Sequence, residues 1–149
     1  MFVCHGNICR SPMAEFILKD MVKQKGLQND FVICSSATST EEIWNGIGNP
    51  VYPPAKTMLN SHGINPDGKR AVQLTKSDYD KYDLFIGMDS ANIRNMKRIL
   101  DGDPKYKIHK LMEYTNSTAD VSDPWYTRDF DRCYNDIHKG CEALLNSLI

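Results

Sequence analysis

The stretch FVCHGNICRSPMAEF, residues 2–16, decides how the rest of the chain is read. An apolar scrap, Phe2-Val3, runs into Cys4. A turn of His5, Gly6, Asn7, Ile8 and Cys9 follows, and Arg10, Ser11 and Pro12 open a segment with helical spacing. Gly6 lets the backbone turn without a Cβ obstruction, and Asn7 tolerates the left-handed region better than most residues. Several N–H groups then point inward as an anion-binding nest. The helix start adds its partial positive charge and its own free N–H groups. Arg10 supplies a planar fork suited to two phosphate oxygens. The same field favours a thiolate at Cys4, and the Ser11 hydroxyl is placed to donate to it. The expected product is an oxyanion cradle with Cys4 as the nucleophile on its floor. His5, Gly6, Asn7, Ile8, Cys9 and Ser11 line it and Arg10 clamps the anion. The plain alternative, a buried small hydrophobe, suits Cys9 better than Cys4, because loop, arginine and helix start coincide at Cys4.

Outward from this stretch, short apolar strands alternate with amphipathic helices. Strand one covers residues 1–4. Helix one starts at Ser11, with Ser11 as N-cap and Pro12 at the first helical position. Ala14, Ile17, Leu18, Met21 and Val22 form its apolar stripe, and Gly26 stops it. Strand two is 31–35. A loop with Trp44, Gly46, Gly48 and Pro50 leads to a helix near 52–62. Residues 70–74 read as a short extended or irregular piece. Strand three is 84–88, followed by a helix at 90–100; strand four is 107–112. A polar loop at 113–128 precedes a last helix with Phe130, Cys133, Tyr134, Ile137, Cys141, Leu144 and Leu145 on one face. This alternation predicts an α/β three-layer sandwich. Its four-stranded parallel sheet has right-handed crossovers, helices on both faces and the phosphate-binding loop after strand one. Ligands in such sheets bind beyond the carboxyl ends of the strands, at a topological switch point, which is where the opening stretch falls.

A chain of 149 residues with 25% charged and 41% hydrophobic residues suits one soluble domain, 1–149, with a single core. The net charge is −1, and the loose cluster Arg94, Lys97 and Arg98 reads as a solvated helix face, so no nucleic-acid partner is expected. No apolar run approaches the roughly 20 residues of a membrane span, so no membrane partner is expected either. The start is not a signal peptide. A strand beginning at Met1 is very short, so either residues precede it or the strand is minimal. Five cysteines without a secreted-scaffold rhythm point to free thiols in a reducing, cytoplasmic compartment. Cys4 and Cys9 with His5 between them fit no common zinc spacing, so no metal and no cofactor are expected.

Cys4 and Arg10 six residues apart are a weak pattern alone; Cys-x-Gly-Asn-Ile-Cys-Arg-Ser-Pro is specific. With it, the sequence resembles the low-molecular-weight protein tyrosine phosphatases over nearly the whole chain. The resemblance rests on Val3-Cys4 through Glu15, SSATS at 35–39, GNP at 48–50, HGI at 62–64, GMD at 87–89 with Asn92 after it, and DPWY at 123–126. A phenolic leaving group needs a proton donor, and Asp120, Asp123, Asp129 and Asp131 are the candidates. Asp123 has the best local argument, because Pro124 stiffens the chain and Trp125 and Tyr126 offer flat faces to an aromatic substrate. The resemblance selects it as general acid. Trp125 reads equally well as ordinary packing, and Trp44 is a third candidate at the rim.

The resemblance further implies that Asn7, Ser11 and Ser35 hold the loop by hydrogen bonds and that Asp89 supports them; on physics alone Asp89 is equally an N-cap for the helix at 90–100. Two positions depart from the family pattern. His5 replaces an apolar residue, and Lys69 falls where a buttressing histidine is expected. The implied activity is protein tyrosine phosphatase, with a phosphocysteine on Cys4 and Asp123 as acid and then base. The expected substrate is a phosphotyrosine protein or a small aryl phosphate, with inorganic phosphate or another oxyanion in the loop, handled by a monomer. Three alternatives stand beside it. A protein-arginine phosphatase is disfavoured because the resemblance suggests threonine where this chain has Ile8. An arsenate reductase needs a further mid-chain cysteine pair, and none lies between Cys34 and Cys133. A silent phosphotyrosine-binding module needs neither nucleophile nor acid. Cys4 and Cys9 are also close enough in sequence to suggest a reversible disulfide.

Overall fold

The computed structural model describes residues 1–149. The chain runs β1 (Phe2–Cys4), α1 (Arg10–Gln24), β2 (Ser35–Ala37), β3 (Ile43–Trp44), β4 (Ile47–Gly48), α2 (Pro53–Ser61), β5 (Phe85–Gly87), α3 (Ser90–Ile99), β6 (Ile108–Lys110), α4 (Pro124–Thr127) and α5 (Phe130–Leu148). Short 3-10 segments lie at Gln28–Asp30, Lys76–Asp80 and Leu111–Thr115. Four strands make one parallel sheet in the order β2-β1-β5-β6. This is the expected three-layer architecture. The chain leaves β1 to one side for β2 and returns to its other side for β5, so the switch point falls at the carboxyl end of β1, beside Cys4.

Both faces of the sheet are covered, which is why its two central strands, β1 and β5, are apolar throughout. Successive side chains point to opposite faces. Phe2 and Cys4 pack with Met13, Ile17, Leu59, Ile137 and Leu144 of α1, α2 and α5. Val3 packs on the other face with Leu74, Phe85, Met96 and Leu100. No helix is long and apolar enough to cross a membrane.

Four local expectations change. Strand two is displaced: the ladder is Ser35–Ala37, not 31–35, because Phe2 at the start of β1 lies opposite Ser35. Upstream, only the Cys34 carbonyl is used, accepting the Phe2 N–H at 2.9 Å. Helix one begins at Arg10 rather than Ser11, and its N-cap is Cys9, which makes no side-chain cap bond. The Ser11 hydroxyl is drawn instead into the loop beneath Cys4. The loop around Trp44 is an antiparallel hairpin, β3-β4. Its turn is Asn45-Gly46, both at positive φ (50 and 77), the pair that a tight hairpin turn demands. Within the polar loop 113–128, Asp123 caps a single helical turn, α4, through the Trp125 N–H.

The hairpin is locked where Gly48 meets the piece at 70–74. Asn49 O accepts from Ala71 N (2.9 Å), and a Cβ on Gly48 would lie 1.9 Å from Ala71 O. Gly48→Ala is therefore expected to lower unfolding stability by roughly 1–3 kcal/mol, the cost of overpacking a close contact. A urea titration checks this; an unchanged midpoint would show that the strands separate freely there.

Candidate active site

The loop from Cys4 to Arg10 is strung between β1 and α1, and one residue sets its shape. Asn7, 1% exposed, takes a left-handed backbone with φ 59. Gly6 does not adopt positive φ. Its small size matters instead, because a Cβ there would lie 3.2 Å from Glu42 Cγ at the base of the hairpin. The bend aims the Asn7 N–H at Cys4 Sγ (3.3 Å). The N–H groups of Gly6, Ile8 and Cys9 make no hydrogen bond within the protein. Left without an acceptor beside a helix start, they are free to donate to an anion.

The Asn7 amide fixes the order of a buried hydrogen-bond chain. Its Nδ2 donates to Ser11 Oγ (2.8 Å) and to Ser35 Oγ (2.9 Å), and its Oδ1 accepts from Val72 N (3.0 Å). Ser11, already accepting from Asn7, has its proton free for Cys4 Sγ at 3.0 Å. Ser35 Oγ in turn donates to Glu15 Oε1 (2.6 Å). Glu15, 4% exposed, is met by Lys19 Nζ at 2.7 Å and Lys69 Nζ at 3.7 Å. Lys69 also donates to Ser35 O at 3.0 Å. Burial lowers the Lys69 ammonium below its ordinary value, against the pull of Glu15. The lysine at this divergent position thus belongs to the network, and the chain of donors ends at Cys4 Sγ.

Arg10, 3% exposed, connects the loop to two other elements. Its Nη1 donates to Asp89 Oδ2 (2.8 Å) and to Val121 O (2.9 Å), and its Nη2 lies 3.4 Å from Asp123 Oδ2. Burial alone would lower its pKa. Cys4, Asp89 and Asp123 outweigh that and raise it above the ordinary arginine value, so the clamp stays charged. Asp89 Oδ1 also caps α3 through Asn92 N at 2.8 Å, the N-cap reading of this residue. Asp123 likewise caps α4 with Oδ1 while presenting Oδ2 to Arg10.

The remaining aromatic candidates and His5 are exposed side chains. Trp125, Tyr126 and Trp44 are 47%, 83% and 71% exposed, so none is core packing. His5 is exposed, with Nε2 at 3.0 Å from Glu41 Oε2; it contributes its backbone to the loop, and its ring belongs to the rim. Cys9 meets Cys133 of α5, and that hydrogen bond, followed by burial, pushes its thiol well up. The thiol that bonds it is Cys133, which the sequence did not suggest. Glu15 and Tyr52 were also missed. Glu15 sits one helical turn beyond Ser11, a carboxylate on an otherwise apolar face, and that was the available signal. Tyr52 donates its N–H to Ile8 O (2.8 Å) and packs on Trp125 with centroids 5.1 Å apart. An apolar cleft of about 550 Å³ lies at the other end of the sheet, lined by Phe2, Phe31, Ile33, Leu84 and Leu144, and contains none of these groups.

A cysteine in an anion nest at the switch point of a parallel α/β sheet, faced by an arginine and an aspartate, defines the class of cysteine-centred phosphate-loop proteins. The chain belongs to the family described as low molecular weight phosphotyrosine protein phosphatase, whose model matches residues 1–149. It is 38% identical over 150 residues to the low molecular weight protein-tyrosine-phosphatase YfkJ of Bacillus subtilis, covering 99% of this chain and 94% of that one. The crystal structure of YfkJ superposes with a TM-score of 0.92, covering 99% and 91% of the two chains. SP-PTP, the low molecular weight protein tyrosine phosphatase of Streptococcus pyogenes, follows at 40% identity, TM-score 0.86 and the same coverages. DARP, a Drosophila arginine phosphatase, shares the fold at 25% identity and TM-score 0.86, covering 99% and 95%.

Lys69→Met leaves Glu15 with one cation instead of two and removes a donor from Ser35 O. We expect a loss of roughly 1–3 kcal/mol in unfolding stability, the cost of an unsatisfied buried polar group. Adding Glu15→Gln should restore part of it. Denaturant titration of the four proteins checks this; strictly additive losses would show that the two side chains are uncoupled.

Proposed function

We propose that the chain is a protein tyrosine phosphatase that hydrolyses aryl phosphate monoesters through a phosphocysteine on Cys4. The observation that carries this is the placement of Asp123 Oδ2 against the same buried guanidinium that faces Cys4. A module that only bound phosphate would need neither a nucleophile nor an acid.

The geometry supports two steps. Arg10 and the free N–H groups of Gly6, Ile8 and Cys9 hold the three non-bridging oxygens. Cys4 Sγ attacks phosphorus in line; the S–P bond forms as the P–O bond to the ring breaks. The departing phenol oxygen keeps the electron pair and takes a proton from Asp123. Asp123 then removes a proton from water, the water oxygen attacks phosphorus, and the S–P bond breaks with its electrons returning to Cys4. Inorganic phosphate leaves. Ser11 stabilises the thiolate at the start and the end of this cycle through its 3.0 Å contact. Every group used comes from one chain, which suits a monomer acting in the cytoplasm on a phosphotyrosine protein or small aryl phosphate, without metal or cofactor. Trp44, Tyr52, Trp125 and Tyr126 give the mouth aromatic walls for a phenyl ring.

The test is hydrolysis of phenyl phosphate and p-nitrophenyl phosphate in the presence of chelator. Cys4→Ser should fall to background. Asp123→Ala should slow phenyl phosphate by roughly 10²–10⁴-fold, the usual worth of a general acid. It should slow p-nitrophenyl phosphate less, because that leaving group needs less help. Matched peptides should be dephosphorylated faster on tyrosine than on arginine. Full activity in Cys4→Ser would sink the mechanism; equal slowing of both esters would remove Asp123 as the acid; preference for phosphoarginine would move the substrate class.

A further inference from the structure

Arg128 stands at the mouth, held in place without a carboxylate. It closes α4 in the left-handed conformation, φ 60, with its N–H on Pro124 O at 2.9 Å. Its guanidinium carbon lies 5.5 Å from the centroid of the Trp125 ring, and its Nη1 donates to Tyr52 Oη at 3.1 Å. Tyr52 packs on Trp125 and bonds Ile8 O of the anion loop. The guanidinium is thus fixed through two aromatic side chains to the acid-bearing helix and to the loop that holds Cys4.

An exposed arginine ordinarily forfeits much rotamer freedom when it binds an anion. Here the stack and the hydroxyl bond have already removed much of that freedom, so the fork is preorganised. The nearby carboxylates are engaged elsewhere: Asp123 with Trp125 N and Arg10, and Asp129 with Arg132 N at 3.0 Å. The hairpin beside the loop carries Glu42, held by Asn49 Nδ2 at 2.7 Å with its Cγ against Gly6, and Glu41 beside His5; Arg70 is tied to the Gly48 carbonyl. Arg128 is thus a guanidinium without a carboxylate partner at the end of α4, while the hairpin presents the carboxylates Glu41 and Glu42.

We propose that Arg128 is a specificity-determining residue that receives a carboxylate side chain flanking the phosphotyrosine, on the α4 side only. This rests on the phosphatase reading above. Glu41 and Glu42 repel the same carboxylate on the hairpin side, so an acidic neighbour helps before the phosphotyrosine or after it, but not in both places. Arg128 makes no contact with Cys4 or Arg10, so its effect falls on peptide selection and on encounter rate.

The experiment compares kcat/KM for phosphotyrosine peptides matched except for Glu, Gln or Lys on either side, with p-nitrophenyl phosphate as reference. At low ionic strength, wild type should favour Glu over Gln on one side by roughly 2–5-fold, the size expected of an exposed charge pair. The preference should shrink towards parity at about 0.5 M salt, where exposed charges are screened. Arg128→Gln, which keeps a donor for Tyr52, should abolish it; Arg128→Lys should retain it; Arg128→Glu should reverse it to Lys. A purely structural Arg128 would alter all peptides alike. Equal rates on Glu and Lys peptides, or a preference intact in Arg128→Gln, overturns the proposal while turnover of p-nitrophenyl phosphate leaves the phosphatase reading standing. Absence of any turnover by wild type overturns both.

Discussion

The left-handed bend at Asn7 is the constraint on which the site depends. A non-glycine residue at positive φ costs on the order of 1 kcal/mol or more, and this one is buried, where an unpaired amide would cost further. The bend persists because the Asn7 side chain satisfies both of its polar atoms: Nδ2 on Ser11 and Ser35, Oδ1 on Val72 N. Three net bonds at roughly 1 kcal/mol each are enough to offset the strain. The same bend turns the loop N–H groups inward. Strain, polar satisfaction and anion affinity are consequently one arrangement, and none of them can be altered separately.

Arg10 extends this constraint from the loop to the sheet. Its three contacts reach the end of β5 through Asp89, the strand-like segment at Val121, and the cap of α4 through Asp123. Val121 N is in turn bonded to Met88 O at 2.9 Å. The acid loop, which has little core of its own, is therefore positioned against the carboxyl end of β5 and the clamp. Asp89 and Asp123 each split their two oxygens between a helix cap and Arg10. In each, one oxygen accepts from the cap N–H and the other from the guanidinium, so one side chain serves both partners.

What the sequence made legible was the part whose geometry is local. Strand end, turn and helix start follow one another within residues 2–16, and the charge, thiol and glycine are all in that window. The parallel sheet was legible because strand and helix periods alternate. The displaced β2 was not, because register is set by where β1 begins to pair, and no property of residues 31–35 reports that. Asn45-Gly46 did signal a hairpin and was passed over beside the more obvious proline and glycines. Val72, Val121 and Cys133 enter the site through tertiary register alone, as a backbone donor, a backbone acceptor and a thiol under the loop. Lys69 illustrates the limit differently: its position was noticed, but only the burial of Glu15 shows that a lysine there completes the network.

The floor and the mouth of the site obey different rules for this reason. Floor residues are buried and mutually bonded, so their identities are tied to one chemistry, and a sequence motif can reveal it. Mouth residues sit on a hairpin tip, a one-turn helix and a helix cap, where exposure leaves identity free. Arg128 shows how such a freely chosen residue can still be ordered: a left-handed cap, an aromatic face and one hydroxyl hold it without any buried partner. The reaction is set by the floor. Discrimination among substrates that carry the same phosphate falls to the mouth, because only there do the protein and the rest of the substrate meet.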